Sequence, residues 1–292
     1  MFPLQRYEKA DSIEDAVRLL SDNPEAKVIS GGTDVLIRLR DGKKAYNQLV
    51  DIHDLDELKI CDITADGTIR IGAGISFSEV IASDIIKKHL PHLHKAAETI
   101  GGPQIRNIAT IGGNICNGVT SADSASPLLA SNARLIIQGP DGKREVALSE
   151  FYLGPGKVAL DQSEILIAFT ISKQDYSGYS SDFFKYAMRE AMDIATIGCA
   201  AACLIDGNQL VDLRLAFGVA APTPIRCSKA EDAARGETIS EALLTKIGDA
   251  LAEDVNPRTS WRASREFRLH IIRELAERVI KNAIEKAGGT LT

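Results

Sequence analysis

The sequence predicts an α+β protein of two domains, each a small sheet covered by helices. Three observations carry that prediction. Strand and helix periodicities alternate along the chain. Asp141-Gly142 and Asp206-Gly-Asn208 each join two apolar runs in the manner of a β-hairpin. A polar stretch at 173–181, KQDYSGYSS, separates two such regions and reads as a boundary. The domains are therefore expected at 1–176 and 177–292, and 292 residues suit two domains.

The elements follow in order. Asp11-Ser-Ile-Glu14 reads as a capping box, opening a helix with Ile13, Ala16, Val17 and Leu20 on one face. Lys27 to Ser30 is a short strand, Val35 to Leu39 a short helix and Leu49 to Ile52 a second strand. This opening βα pattern makes a subdomain of about 1–56. Thr68 to Ile75 alternates as a half-buried strand. Ser76-Phe-Ser-Glu79 is a second capping box, and Pro91 starts a helix that Gly101-Gly102 ends.

Gln104 to Gly118 keeps no sustained period and reads as a ligand-wrapping loop. Arg134 to Gln138 and Arg144 to Leu148 flank the first hairpin turn, and Ile165 to Ile171 is the last strand of this half. In the second half, strands at Ala195 to Ile205 and Leu210 to Ala220 precede helices at about 229–235 and 240–252. A closing helix from Ser264 to Lys286 places Phe267, Ile271, Leu275, Val279 and Ala283 at helical spacing, and Gly288-Gly289 stops it.

Composition narrows the function. Hydrophobic residues make up 45% and charged residues 25%, with a net charge of -6, so no basic surface for nucleic acid or an anionic membrane is indicated. No apolar run approaches the roughly 18 residues of a membrane span. MFPLQRYEKADS has no apolar signal core, so cytoplasmic residence is expected. Cys61, Cys116, Cys199, Cys203 and Cys227 are odd in number and scattered, which argues against a disulfide framework. Cys199 and Cys203 read as small buried hydrophobes. No ligand set for a metal or iron–sulfur cluster emerges, and the histidines offer none.

Two glycine-rich runs about 80 residues apart point to a large anionic ligand held from two sides. The first is SGGTDVL, Ser30 to Leu36. A Gly-Gly pair permits positive φ and close backbone approach, and its N–H groups can form an anion-binding concavity. Gly31, Gly32, Thr33 and Asp34 also suit an ordinary tight turn; a strand before and a helix after favour phosphate binding. The run fits neither GxGxxG nor a P-loop.

The second run is ATIGGNICNG, Ala109 to Gly118. Thr110, Gly112, Gly113 and Asn114 offer a hydroxyl, open backbone and an amide to pyrophosphate and ribityl oxygens. Asp123 suits a sugar hydroxyl or a helix N-cap. Lys185, in DFFKYAMRE, is either a solvated surface cation or one anchored beside a flavin, where it would favour the reduced anionic form. No GxSxG or HExxH occurs, so no catalytic nucleophile or metal base is assigned; the chain reads as one that positions a cofactor.

SGGTDVLI and TIGGNICNGVTSADSASP together resemble the flavoprotein subunit of molybdenum hydroxylases. GPQIRNIATIGGNICNG, FKYAMREAMDIATIGCAA and LRLAFGVAAPTPIRC look most like the bacterial xanthine dehydrogenase branch, and the resemblance covers nearly the whole chain. It implies a FAD-binding domain of the vanillyl-alcohol-oxidase (PCMH) type, with subdomains at about 1–56 and 57–176, followed by a C-terminal domain of the carbon monoxide dehydrogenase flavoprotein type.

The resemblance also implies which residues contact FAD. Lys27, Val28, Ile29, Ser30, Gly31, Gly32, Thr33, Asp34 and Val35 form the first pyrophosphate loop. Ala109, Thr110, Ile111, Gly112, Gly113 and Asn114 form the second. Asp123, the apolar pair Ile165 and Leu166, and Lys185 complete the set. The implied partners are a molybdopterin-binding large subunit and a 2Fe-2S small subunit. Electrons would pass from the iron–sulfur clusters to FAD and on to NAD during oxidation of xanthine or hypoxanthine. A subunit serving carbon monoxide, nicotinate or an aromatic substrate is the alternative, followed by a free-standing FAD oxidoreductase. Single-chain eukaryotic relatives carry a Tyr-Arg pair where Leu153-Gly-Pro-Gly-Lys157 stands here, which leaves the choice between NAD and oxygen open.

Overall fold

The computed structural model describes residues 4–291; Met1 to Pro3, the start of the segment read as lacking a signal core, lie outside the described residues. The described residues fold as three main sheets with helices on their faces, plus one two-stranded hairpin, the α+β arrangement the sequence predicts. The first unit has strands β1 (Arg6–Lys9), β2 (Lys27–Ile29) and β3 (Gln48–Asp51), with helices α1 (Ile13–Asp22) and α2 (Val35–Arg40). β3 lies between the other two strands, parallel to both. Ser12, not Asp11, caps α1, accepting from Asp15 N–H at 3.0 Å. Asp11 instead donates its N–H to the Asp15 carboxylate.

The second unit is a five-stranded antiparallel sheet with the order β4-β5-β10-β6-β7. β4 (Cys61–Ile63) and β5 (Ile69–Gly72) lead into a run of short helices: α3 (Phe77–Ala82), α4 (Asp84–His89), α5 (Pro91–Glu98), α6 (Pro103–Ile108), α7 (Ile111–Cys116) and α8 (Ala125–Ala130). Both halves of the Ser76–Glu79 capping box form. The stretch 104–118, read as a loop, is instead mostly helical. α6 and α7 are six residues each, too short to show a periodicity, and Gly112-Gly113 sit inside α7. Next come the hairpin β6 (Arg134–Gly139) and β7 (Gly142–Ala147), helix α9 (Leu148–Phe151), the small hairpin β8 (Tyr152–Gly154) and β9 (Lys157–Val158), β10 (Ile165–Ile171) and α10 (Lys173–Tyr176).

The third unit has β11 (Ser180–Tyr186), β12 (Ile197–Asp206), β13 (Gln209–Gly218) and β14 (Ile225–Arg226) in that order, followed by α11 (Ser228–Ala234). β15 (Glu237–Thr238) pairs with β13, and α12 (Glu241–Asp254) and α13 (Arg265–Lys286) cover one face. β11 was not anticipated: its sequence, SSDFFKY, opens with three polar residues. The buried face of α13 runs through Arg268, Ile272, Leu275, Ala276 and Val279, while Phe267 is exposed. The strict four-residue series read from the sequence drifts about 40° per step, so its early members leave the face.

Three apolar cores result. β10 is shared: Ile165 and Ile167 join the core under α1, and Leu166, Phe169 and Ile171 join the core of the second unit. The third sheet also serves two cores. Phe183, Ala200 and Ala216 face α5 and α8, while Cys199, Ala201 and Cys203 face the covering helices. All five cysteines are free thiols, and burial pushes Cys199 and Cys203 far up, in keeping with small buried hydrophobes. Among the described residues no helix is long and apolar enough to cross a membrane.

Candidate cofactor cleft

A cleft of about 580 Å³ opens between the first and second units, and both glycine runs line it. β2 delivers the first run and α2 carries the chain away, so Ser30 to Asp34 form a turn between strand and helix. Gly32 has φ +71°, the left-handed region that glycine enters without strain. A Cβ on Gly31 would collide with the carbonyl of Ile108, at the end of α6. The two runs therefore touch, backbone against backbone, through a glycine.

The first turn presents donors that the fold does not use. No described residue accepts from the N–H groups of Gly31, Gly32 or Thr33, and the buried Ser30 hydroxyl has no partner. Lys27 and Arg38 add cationic side chains to the same wall. Arg38 reaches Asn117 at 3.4 Å and lies over the Tyr46 ring, while Lys27 donates to Gln162 at 3.0 Å. Gln162 in turn donates to the carbonyl of Ala26 at 2.5 Å, tying the two walls together. Arg38, Tyr46, Asn117 and Gln162 escaped the sequence reading because folding alone brings them together.

The second run is built differently from its sequence reading. Thr110 caps α7, taking the N–H of Gly113 at 3.2 Å, and Gly112 N–H donates to Ala73 at 2.8 Å. These two backbone donors are thus spent within the fold. A Cβ on Gly112 would meet Ala73 at 2.6 Å, so this glycine permits close packing of α7 on the strand below. What the run offers the cleft is the Asn114 amide, oriented by Ser124 at 2.6 Å, and the Thr110 hydroxyl.

Of the residues expected at the site, Lys27, Val28, Ser30 to Val35, Ala109, Thr110, Gly112 to Asn114, Ile165 and Leu166 line the cleft. Ile29 and Ile111 do not; both are buried in the fold. Asp123 and Lys185 also lie off the lining, behind the wall, where they form a buried ion pair at 2.7 Å. Lys185 Nζ also donates to Thr99 O at 3.0 Å, and the next residue, Ile100, does line the cleft. Lys185 is therefore anchored and not a solvated surface cation. Burial pushes the Asp123 carboxyl up to about 6, with Lys185 pulling against it. Asp123 Oδ1 has no partner. Asp123 caps no helix: Ser124 is the N-cap of α8.

Two titratable groups of the lining are accounted for. Glu164 takes both arms of Arg144 at 2.6 Å, and this guanidinium holds its carboxyl below the usual range. Burial pushes the Cys116 thiol up to about 12, so it is not a thiolate at neutral pH. Among the described residues no group of three or more His, Cys, Asp or Glu side chains is placed to hold a metal.

A strand-turn-helix with free backbone donors, a second turn pressed against it and cations on one wall define a site for an extended anionic dinucleotide. Residues 2–173 match the family described as the FAD binding domain in molybdopterin dehydrogenase, and residues 182–283 match the CO dehydrogenase flavoprotein C-terminal domain. The chain belongs to the FAD-binding subunits of the molybdenum hydroxylases, of the xanthine dehydrogenase type.

It is 51% identical over 291 residues to the xanthine dehydrogenase FAD-binding subunit of Escherichia coli O157:H7, covering 100% of both chains. Carbon monoxide dehydrogenase from Hydrogenophaga pseudoflava superposes with a TM-score of 0.92 at 27% identity, over 98% of this chain and 99% of that one. Quinoline 2-oxidoreductase from Pseudomonas putida 86 superposes with a TM-score of 0.90 at 26% identity, over 98% and 99%. The protein is an oxidoreductase subunit whose cofactor is FAD.

Proposed function

We propose that this chain is the electron-relay subunit of a cytoplasmic heterotrimer. A molybdopterin-binding large subunit would oxidise a purine such as xanthine or hypoxanthine, and a 2Fe-2S small subunit would deliver electrons here, with NAD as the final acceptor. Residues 1–176 hold the cofactor, as subdomains of about 1–56 and 57–176, and 177–292 form the companion domain. FAD supplies the exchange between single-electron steps and two-electron hydride transfer when bound.

The chain's own residues bind and orient. Lys27, Val28, Ile29, Ser30, Gly31, Gly32, Thr33, Asp34 and Val35 form the pyrophosphate turn: the Gly31, Gly32 and Thr33 N–H groups and the Ser30 hydroxyl donate to phosphate oxygens. Ala109, Thr110, Gly112, Gly113 and Asn114 form the opposing wall, with Thr110 and Asn114 facing the ligand and Ile111 buried behind the wall. Ile165 and Leu166 give the apolar floor, and Asp123 and Lys185 set the charge behind it.

The observation that carries this reading is the contact of Gly31 in the first run with the Ile108-Ala109 backbone that opens the second, beside donors with no partner among the described residues. The engaged Glu164 and protonated Cys116 favour a positioning role over a self-sufficient oxidase. The test is xanthine oxidation by the assembled complex. NADH formed in step with urate supports the reading. Turnover only with oxygen removes NAD from it, and no turnover with purines moves the substrate to another class.

A further inference from the structure

The start of α13 holds a guanidinium that the fold leaves without an acid. Arg268 is 2% exposed. It donates to the carbonyl of Thr196 and, at 2.9 Å, to the Ser260 hydroxyl, and its Nε has no partner. Arg262 also buries an unpartnered Nε, and the buried Thr196 hydroxyl is unpartnered as well. Ser260 binds this loop together, since it also takes the Arg262 N–H at 3.3 Å.

Arg258 and Arg262 stand close enough to Arg268 to depress its affinity for a proton, after the larger effect of its own burial. Among the described residues, none of Arg258, Arg262, Arg265 or Arg268 has a carboxylate within ion-pair distance. Asp193, on the loop between β11 and β12, pairs with Arg189, and Glu266 turns back to Ser264. Buried donors without acceptors are costly, and an unpaired buried charge more so. The cluster is complementary to a carboxylate that the described residues do not provide.

Apolar side chains rim the cluster in the open. Trp261 is 76% exposed under the Arg262 guanidinium, and Phe267 packs against Tyr186 at 5.9 Å while itself partly exposed. Met188, Met192 and Ile194 extend the rim on the loop between β11 and β12. Exposed Trp, Met and Phe grouped around Arg form the composition of a protein interface, with Trp and Arg its usual anchors. A site for a small anion alone would leave this rim unexplained.

The place in the fold selects the partner. Tyr186 follows Lys185, and Met192 lies against Gly102, one residue before α6, whose Ile105 lines the cleft. The rim is thus continuous with the mouth of the cofactor cleft. We infer that Trp261, Arg258 and Arg262, with Arg268 buried beneath them, form the docking surface for the electron-donating iron–sulfur subunit, which seats a carboxylate flanked by apolar side chains there. This rests on the electron-relay reading above.

The test is assembly of the full-length chain with its iron–sulfur and molybdopterin subunits. Trp261→Ala and Arg262→Glu are expected to keep one FAD per chain and the wild-type melting temperature within a few degrees. Their affinity for the iron–sulfur subunit should fall at least tenfold and a hundredfold, respectively. Arg262→Lys should fall between wild type and Arg262→Glu, because it keeps the charge and loses the fork. Variants that hold FAD and bind the iron–sulfur subunit as tightly as wild type would overturn the surface. So would saturable binding of inorganic pyrophosphate that Arg262→Glu abolishes while assembly is untouched. A wild-type chain that holds FAD and binds no iron–sulfur subunit would instead overturn the relay reading, and the docking surface with it.

Discussion

Lys185 Nζ lies 2.7 Å from Asp123 Oδ2 and 3.0 Å from the carbonyl of Thr99, so one buried ammonium joins β11 to two segments behind the cleft wall. Among the described residues Asp123 has no other cation, and burial holds its carboxyl near 6. Because the folded value lies above the unfolded one, its contribution to stability is complete in acid and is lost as pH rises through about 6. Lys185→Ala removes the pull that keeps Asp123 ionisable. Above neutrality the variant must bury an uncompensated carboxylate, at a cost of about 3 kcal/mol. At pH 5 the carboxyl is protonated and the loss is expected to shrink to about 1 kcal/mol. Urea unfolding at pH 5 and pH 8 checks this; equal losses at both would contradict it.

Gly31→Ala is expected to separate the two glycine runs. The atom in the way is the Ile108 carbonyl, part of the backbone, so no side chain can swing aside. We expect FAD affinity to fall at least tenfold, read by recovery of flavin fluorescence on dilution, with little change in secondary structure by circular dichroism. Gly112 is a poorer probe, because its Cβ would strike Ala73 and the variant would report packing. Unchanged FAD affinity in Gly31→Ala would remove the contact of the two runs from the site.

His92 should make the protein acid-sensitive. Its ring is buried, with Nε2 at 2.8 Å from Ser131 Oγ and Nδ1 at 2.8 Å from Ser181 Oγ. Burial lowers its pKa to about 4, so the unfolded chain takes up a proton first as pH falls below about 6.5. Stability from this group is therefore full above 6.5 and is lost toward pH 4, by roughly 3 kcal/mol in all. The Asp123 effect has the opposite sign in an overlapping window, so the comparison to make is wild type against His92→Gln. The variant should show a shallower fall in unfolding midpoint between pH 7 and pH 5, and an unchanged slope would refute the assignment.

Asp182 ties the third sheet to both its neighbours. It accepts from Lys95 of α5 at 3.0 Å and from Lys286 and Asn282 of α13, each at 2.8 Å. Burial pushes its carboxyl up, but these three donors outweigh that and hold it below the usual range. Its stabilisation is therefore present above the unfolded carboxyl value and lost as pH falls through the folded one. The two lysines are half-exposed and can rehydrate, so Asp182→Ala should cost about 2 kcal/mol at pH 7. A chemical-denaturation midpoint indistinguishable from wild type would show that the tie is not needed.

The sequence made legible what local chemistry decides. Ser76 and Glu79 form their capping box, the hairpin read at Asp141-Gly142 forms with Pro140-Asp141 as its turn and Gly142 opening β7, and β10 spans Ile165–Ile171 as read. Short elements were lost where no period has room to develop, as in α6 and α7, or where polar residues open a strand, as at Ser180 to Asp182 in β11. At the cleft, the glycine runs announced themselves because few other residues permit such backbone approach. The donors already spent at Gly112 and Gly113 could not be read, since their acceptors are set by packing. Arg38, Tyr46 and Gln162 carry no motif and reach the cleft only through tertiary contacts. The arginines before and within α13 carry no motif in the sequence, and it is the fold alone that buries Arg268.

The most direct test of the relay reading is the visible spectrum of the purified complex during anaerobic addition of xanthine. The account predicts about one FAD per chain, bleached by xanthine only when the iron–sulfur and molybdopterin subunits are present, and recovered on adding NAD. Flavin bleached by xanthine in this chain alone, or a folded chain that takes up no FAD, would contradict it.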